Sequence, residues 1–315
     1  MGLKALVTGG AGFIGSHLTE RLAEIGCSVT VVDCLLWGEG RIQHLIWDKG
    51  VVLERGDIRD QELMARIASL GPFDAVYHLA ALHYIPYCSD HPVETLSVNV
   101  LGTQTLLEAI KSNCPRRFVF ASTGDVYAPK EAPHDETDAL EPYSIYGLSK
   151  LFGERLIAEA ARQIPETTFA VARLFNAYGT RESNPHVMPD IVAQLKRGNQ
   201  VHLGNTWPRR DYVEVRDIAE ALLILGSLSV GGKFECFNVG TGAASSVDEV
   251  IKALEGILKL DIQVTVDSQR VRSVERAHLQ ASIAKLQSAT GWRPRYDLRE
   301  GLRELCLNED LLQAH

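Results

Sequence analysis

An α/β fold, an open and doubly wound parallel sheet with a smaller mixed domain beside it, is what this chain predicts. Three observations carry that reading. In the first half, short β-branched runs alternate with longer stretches of helical period. Several of these runs are apolar on both faces, as strands buried between two helix layers are. The first run also leads directly into a glycine-rich turn and a helix start, "KALVTGGAGFIGSHL".

Taken in order, the strand-like runs are "KALVT" (4–8), "SVTVVD" (28–33), "VVLERGD" (51–57), "DAVYHLA" (74–80), "RFVFAS" (117–122) and "TFAVARLF" (168–175). Between them, helical spacing of apolar residues runs through "FIGSHLTERLAEIG", 92–112 and 146–162. After Asn176 the loops lengthen and become more polar, and helices are expected near 188–198, 216–229, 246–259 and 297–312. The expected division is a sheet domain over 1–175, rejoined by part of 205–240, and a smaller domain over 176–315. No internal repeat and no Pro/Gly linker separates them, so an extensive interface with a cleft is expected.

Composition narrows the function classes. Net charge is −8 with no stretch dominated by lysine or arginine, which argues against nucleic acid as a partner. The six cysteines show no CxxC pair and no Cys/His cluster, so neither a metal site nor a disulfide scaffold is expected. No run of 18 apolar residues points to a membrane, and "MGLKALVTGG" lacks signal-peptide anatomy. A cytoplasmic location is the expectation.

The turn after the first strand carries Gly9, Gly12 and Gly15, spaced GxxGxxG, one residue different from the GxGxxG dinucleotide fingerprint. Glycine permits the tight turn and close approach of a pyrophosphate to the backbone. The helix start, with Phe13 and Ile14, then offers free N–H groups and a positive dipole end. Asp33 ends the second strand, 18 residues after Gly15. A carboxylate there accepts from the adenosine ribose hydroxyls and repels a 2′-phosphate, favouring NAD over NADP. Alone, it could equally be a turn residue. In "GDIRD" (56–60), Asp57 and Ile58 suit an adenine edge, while Asp60 suits a helix cap.

Tyr146 and Lys150 in "YSIYGLSK" stand four apart early in a helical pattern, so they share a face. A nearby ammonium and the positive charge of oxidised nicotinamide both favour phenolate, which makes Tyr146 a candidate general base. Without its context, such a spacing is most often a surface pair. The context is "ASTGDVYAP" (121–129), where Thr123 and Asp125 close a strand.

At this point the sequence resembles the extended short-chain dehydrogenase/reductases, specifically the NAD-dependent nucleotide-sugar epimerases and dehydratases, similar to UDP-glucose 4-epimerase. The resemblance rests on "TGGAGFIGSHL", "HLAA", "ASTGDVYAP", "YGLSK", "RLFNAYGTR", "PHVMP", "RRDYVEVRDIAEA" and "GWRPRYDLREGL". It implies a Rossmann-type sheet domain binding NAD, a smaller domain binding a nucleotide-diphosphate sugar with a UDP-sugar favoured, and a homodimer paired through helices 92–112 and 146–162.

It also implies residue roles. Thr123 would hydrogen-bond the reacting sugar hydroxyl, Tyr146 would be the base and Lys150 would hold the nicotinamide ribose. Leu79, Ala80 and Ala81 would line that side of NAD, Asn99 would support it and Phe175 would lie near the nicotinamide. Core packing is the alternative reading for the apolar ones. Asn176 would contact the diphosphate, Val187 of "PHVMP" belongs to the substrate side, and Arg210 and Arg272 would clamp the phosphates with planar guanidinium forks. Arg272 stands in "RSVE", where many members read Arg-Pro-Gly-Asp, so a differently built phosphate-side loop is expected.

The first step implied is oxidation at the sugar C4. An epimerase then returns hydride to the opposite face. A 4,6-dehydratase needs further acid/base groups. Family dehydratases carry Glu two residues after the Thr; here Asp125 stands there. Asp125 is therefore read either as an additional acid/base or as an acid bonding local backbone. His83, where some epimerases carry lysine, is read as a hydrogen-bonded loop residue or a sugar contact. The reading favoured is a 4-epimerase, with the dehydratase second.

Overall fold

The computed structural model describes residues 2–313 except 37, 39, 228–232 and 272–275. Seven parallel strands form one sheet. Six are β1 (Lys4–Thr8), β2 (Ser28–Asp33), β3 (Val52–Arg55), β4 (Ala75–His78), β5 (Arg117–Thr123) and β6 (Thr168–Leu174). The seventh, Phe234–Val239, pairs with β6 in the register Phe234↔Phe169 to Val239↔Leu174. Read across the sheet, the order is Phe234–Val239, β6, β5, β4, β1, β2, β3. The order reverses between β1 and β4, and ligands of open α/β sheets bind at the carboxyl ends of the strands at such a point.

The strands are buried on both faces as their composition predicts: all seven residues of β6 and six of seven in β5 are buried. Two apolar clusters sandwich the sheet. On one side Val7, Leu18 and Val31 pack with Ile218 and Leu222. On the other, Leu6, Ile67, Phe118 and Phe169 pack with Leu106 and Ile157. The helix Val215–Ser227, late in the chain, lies against helix α1 (Phe13–Glu24).

A third cluster, centred on Ile191, Val201, Val250 and Leu302, unites the helices Val187–Leu195, Val247–Leu258 and Leu298–Asn308. Short strand pairs join them: Gln200–Leu203 runs parallel to Gln263–Val266, and Arg209–Arg210 is flanked by Ser245–Ser246 and His278–Leu279.

Two local details differ from a simple reading of the sequence. The helical pattern 92–112 is not one regular helix. It comprises Pro92–Leu96, a π-turn at Ser97–Leu101, and Gly102–Ile110. At Gly102 a Cβ would lie 2.5 Å from Ile58, so only glycine lets this helix press so closely on the loop after β3. Secondly, β3 and β4 are shorter than their apolar runs, because the chain turns into cleft-lining loops at Gly56 and Leu79.

Candidate active site

A cleft of about 930 Å³ opens at the carboxyl ends of the strands, and the glycine-rich turn forms one wall. Gly9 has φ 74°, and a Cβ there would lie 2.7 Å from the Ala80 nitrogen, so turn and "HLAA" loop touch backbone to backbone. Helix α1 starts at Phe13 with no side-chain cap and no acid in its first turn. Its free N–H groups and positive dipole end are left to an anion. Gly9, Gly12, Phe13, Ile14 and Gly15 all line the cleft.

Asp33 combines the two readings its position allowed. Its Oδ2 accepts from Ala11 N–H at 3.0 Å and its Oδ1 from Leu35 N–H at 2.8 Å, so it ties the glycine turn to β2. It also lines the cleft, and burial pushes its carboxyl up while these two bonds pull it down. Asp57 lines the cleft beside Ile58 and pairs with Arg59 at 2.5 Å. Asp60 caps the next helix by accepting from Leu63 N–H, as expected.

The reacting end is built by β5 and the helix Ile145–Gln163. Thr123 ends β5, and its hydroxyl accepts from Asp125 N–H at 3.2 Å as the chain enters a 3-10 turn, Gly124–Val126. Ser144 caps the helix by accepting from Gly147 N–H at 3.0 Å. Tyr146 and Lys150, one turn apart, both face the cleft, and the Tyr146 hydroxyl bonds that of Thr123.

The electrostatics of the pair are set largely by burial. Lys150 is held by the strand beside Tyr146. Its Nζ donates to the Ala121 carbonyl at 2.8 Å and lies 4.9 Å from the Phe120 ring centre. Burial holds Lys150 down to about 8. Tyr146 is pushed up, first by burial and then by the Asp125 charge, with the Thr123 bond pulling the other way. In the ligand-free protein burial and Asp125 thus outweigh the Thr123 bond, and the positive charge of an oxidised nicotinamide would act in the same direction as that bond.

Asn99 stands behind the cleft wall, in keeping with the supporting role expected of it. Its side chain is buried, with Oδ1 accepting from Leu82 N–H at 2.8 Å and Nδ2 donating to Leu82 O and Ser149 Oγ. It acts on the cleft wall rather than on a ligand, because the π-turn directs it into the loop after β4. Leu79, Ala80, Ala81 and Phe175 all line the cleft, and Phe175 is a core residue as well.

On the side of the smaller domain, Asn176, Val187 and Arg210 line the cleft. Asn176 Oδ1 is buried with no hydrogen-bond partner among the described residues, which suits a group left for a ligand. Arg272 lies outside the described residues. His83 lines the cleft and is hydrogen-bonded, so its position is compatible with both readings of it. It hydrogen-bonds Asn184 at 2.9 Å, and burial holds it to about 4, hence neutral. His186 bonds Glu182 beside it. The "ESNPHV" segment has no periodicity that would have signalled this, since its geometry comes from an irregular loop. Among the described residues, no group of three His, Cys, Asp or Glu side chains could hold a metal, and no helix is long and apolar enough to cross a membrane.

A cleft with an anion-ready helix end, a ribose-height carboxylate and a Thr–Tyr–Lys set matches the needs of NAD, and known proteins agree. The family model described as GDP-mannose 4,6 dehydratase matches residues 6–305. The UDP-glucose 4-epimerase of Lacticaseibacillus casei is 32% identical over 324 residues, covering 96% of this chain and 95% of its own. The crystal structure of UDP-glucose 4-epimerase with UDP-glucose from Thermotoga maritima superposes with a TM-score of 0.87 at 32% identity, covering 96% and 97% of the two chains. MoeE5 in complex with UDP-glucuronic acid and NAD superposes at 0.85 and 31% identity, covering 98% of each chain. The chain belongs to the GDP-mannose 4,6 dehydratase family, among the extended short-chain dehydrogenases/reductases.

Proposed function

We propose that the protein is an NAD-dependent nucleotide-sugar 4-epimerase acting on a UDP-linked hexose or hexuronic acid. The observation that carries this reading is the Thr123–Tyr146 hydroxyl pair lining the same cleft as the glycine turn. The relatives and superposed structures named above, epimerases and UDP-sugar complexes, support the choice of reaction and substrate.

In this reading Gly9, Gly12, Gly15 and the start of α1 receive the cofactor diphosphate, Asp33 the adenosine ribose, and Asp57 and Ile58 the adenine. Lys150 binds the nicotinamide ribose, oriented by its bond to the Ala121 carbonyl. NAD, when bound, accepts a hydride from the sugar C4 and returns it. Thr123 orients the C4 hydroxyl, and Tyr146 takes its proton and later gives it back. Asn176, Val187 and Arg210 hold the nucleotide side, with Arg272 proposed as a second phosphate clamp. The sugar must turn over between the two transfers, so the products are the substrate and its C4 epimer.

The test is incubation with UDP-, dTDP- and GDP-sugars followed by mass spectrometry. An isomer of unchanged mass supports the epimerase, and Tyr146→Phe should abolish most of that turnover while NAD stays bound. The second reading, a 4,6-dehydratase, draws on Asp125, which lines the cleft close enough for its charge to act on Tyr146. Loss of water from the sugar would establish it.

Residues 1–175, with the segment returning over 205–240, serve in this reading as the cofactor domain and 176–315 as the sugar-nucleotide domain. A homodimer is supported by exposed apolar side chains on the two helical segments: Val93, Leu101 and Phe152. A monomeric mass in sedimentation at micromolar concentration would contradict it. A reducing, cytoplasmic setting is supported by six cysteines, all of them free.

A further inference from the structure

The guanidinium of Arg276 is buried, with the residue only 5% exposed, yet its hydrogen bonds go to neutral carbonyls. Nη2 donates to Tyr127 O at 2.6 Å and Nη1 to Gly124 O at 3.4 Å. Nε is buried without a partner among the described residues. The two carbonyls bracket Asp125, so Arg276 spans the turn that follows Thr123. Its guanidinium also lies 5.1 Å from the ring centre of Tyr143, just before the helix that carries Tyr146.

We propose that Arg276 is a positioning residue for the base: it grips the Gly124–Tyr127 turn from both sides of Asp125 and holds a positive charge there, which limits how far the Asp125 carboxylate opposes the base. This rests on the reading of Tyr146 as the base. The groups facing Tyr146 are Thr123 and Asp125 from the end of β5 and its turn, Cys88 from the helix Ile85–Asp90, and Lys150 on its own helix. Asp125 pushes the phenol up. Around Arg276 itself, burial disfavours the charge, Asp125 and Tyr143 favour it, and Arg210 opposes it. Asp125 is thus the nearby carboxylate that offsets the cost of burying this cation. A buried arginine otherwise bonded only to carbonyls is expensive to retain for structure alone.

The experiment is the pH dependence of kcat for UDP-glucose epimerisation by the NAD-loaded enzyme, paired with ultraviolet difference titration of the phenolate against Tyr146→Phe. Removing the Arg276 charge with Arg276→Gln should raise the acidic limb by about half to one pH unit, so kcat at pH 7 falls about three- to tenfold and recovers at higher pH. Arg276→Lys keeps the charge and should leave the limb in place. Asp125→Asn added to Arg276→Gln should return it toward wild type. A limb that stays fixed in Arg276→Gln while kcat falls evenly at every pH overturns the proposal. Should Arg276→Gln alone fail to fold, the double variant Asp125→Asn/Arg276→Gln, which buries no unbalanced charge, is compared with Asp125→Asn. With Arg276 present and Asp125 removed, the limb should lie about half to one pH unit below that of the double variant, and coincident limbs overturn the proposal. Retained turnover in Tyr146→Phe would instead sink the base assignment, a distinct outcome.

Discussion

Arg173 and Glu154 meet beneath the reacting strand as a bidentate ion pair, Nε to Oε1 at 3.0 Å and Nη2 to Oε2 at 2.8 Å, with both side chains 4% exposed. Glu154 Oε1 also accepts from Ser122 Oγ at 2.6 Å. Glu154 is one turn beyond Lys150 on the same helix, and Ser122 is the neighbour of Thr123 on β5. The pair therefore fixes the helix bearing Tyr146 to the strand bearing Thr123. Arg173 Nη1 extends the network to Tyr127 Oη at 2.9 Å, and Tyr127 donates to Asn238 at 2.6 Å.

Glu154→Gln should strand a buried guanidinium without its counter-charge. Unfolding free energy should fall by about 3–5 kcal/mol, read from urea denaturation. Arg173→Met in the same chain should recover part of that loss, because it removes the unpaired charge. Additive losses in the double variant would show that the two residues are not coupled.

Gly147→Ala should damage turnover more than stability. A Cβ at Gly147 would lie 2.8 Å from the Asp125 carbonyl oxygen, so the 3-10 turn must shift away from the helix. Thr123 and Asp125 move with that turn. A drop in kcat of about 10- to 100-fold with NAD retained is expected from a displacement of this size. Unchanged kcat would mean the turn yields without disturbing Thr123.

Lys150→Met should stabilise the ligand-free protein while abolishing most activity. Burial holds Lys150 to about 8, against its ordinary 10.5. Between those values the unfolded chain binds the extra proton, so stability rises as pH climbs through that window. Below about pH 8 both states carry the proton and the full burial penalty is present. Removing the ammonium should add about 1–3 kcal/mol at neutral pH and abolish the rise between pH 8 and 10.5. Chemical denaturation across that range checks both, and a variant less stable than wild type at neutral pH would contradict the penalty.

Acid should unfold the protein through its histidines. Burial lowers His78 to about 3 and His17, His83 and His134 to about 4. Each is depressed below its unfolded value, so its contribution is intact above pH 6.5 and is lost as pH falls toward those lower values. Tm should decline steadily from pH 6.5 to about 4. His78, held between Thr8 Oγ1 at 2.7 Å and Thr103 Oγ1 at 2.8 Å, should supply about one proton of that slope. His78→Gln should flatten it accordingly, and an unaltered slope would show that His78 titrates normally.

Local sequence legibly carried the sheet and the cofactor side. The βαβ rhythm, the double-faced apolar runs and the glycine turn all act over a few residues, so β1 to β6 and Gly9, Asp33 and Asp57 could be read directly. Tyr146 and Lys150 were legible because helical period alone puts them on one face. What lay beyond was set by loops. His83, Asn184, His186 and Glu182 converge from segments a hundred residues apart. The bonds by which Asn99 supports the loop after β4 were not legible, because they depend on a π-turn that leaves little trace in composition.

By itself, the sequence determined the fold class, and it pointed to the glycine turn as the proposed dinucleotide site and to Tyr146 as the proposed base, because each depends on short-range periodicity or on a short motif. The tertiary structure decided the electrostatics. It set Lys150 on the Ala121 carbonyl, placed the Asp125 charge where it acts on the phenol, and brought Arg276 from far along the chain to the same turn. Charge acts through space, at strengths fixed by burial and distance, and neither is written in the spacing of residues along the chain.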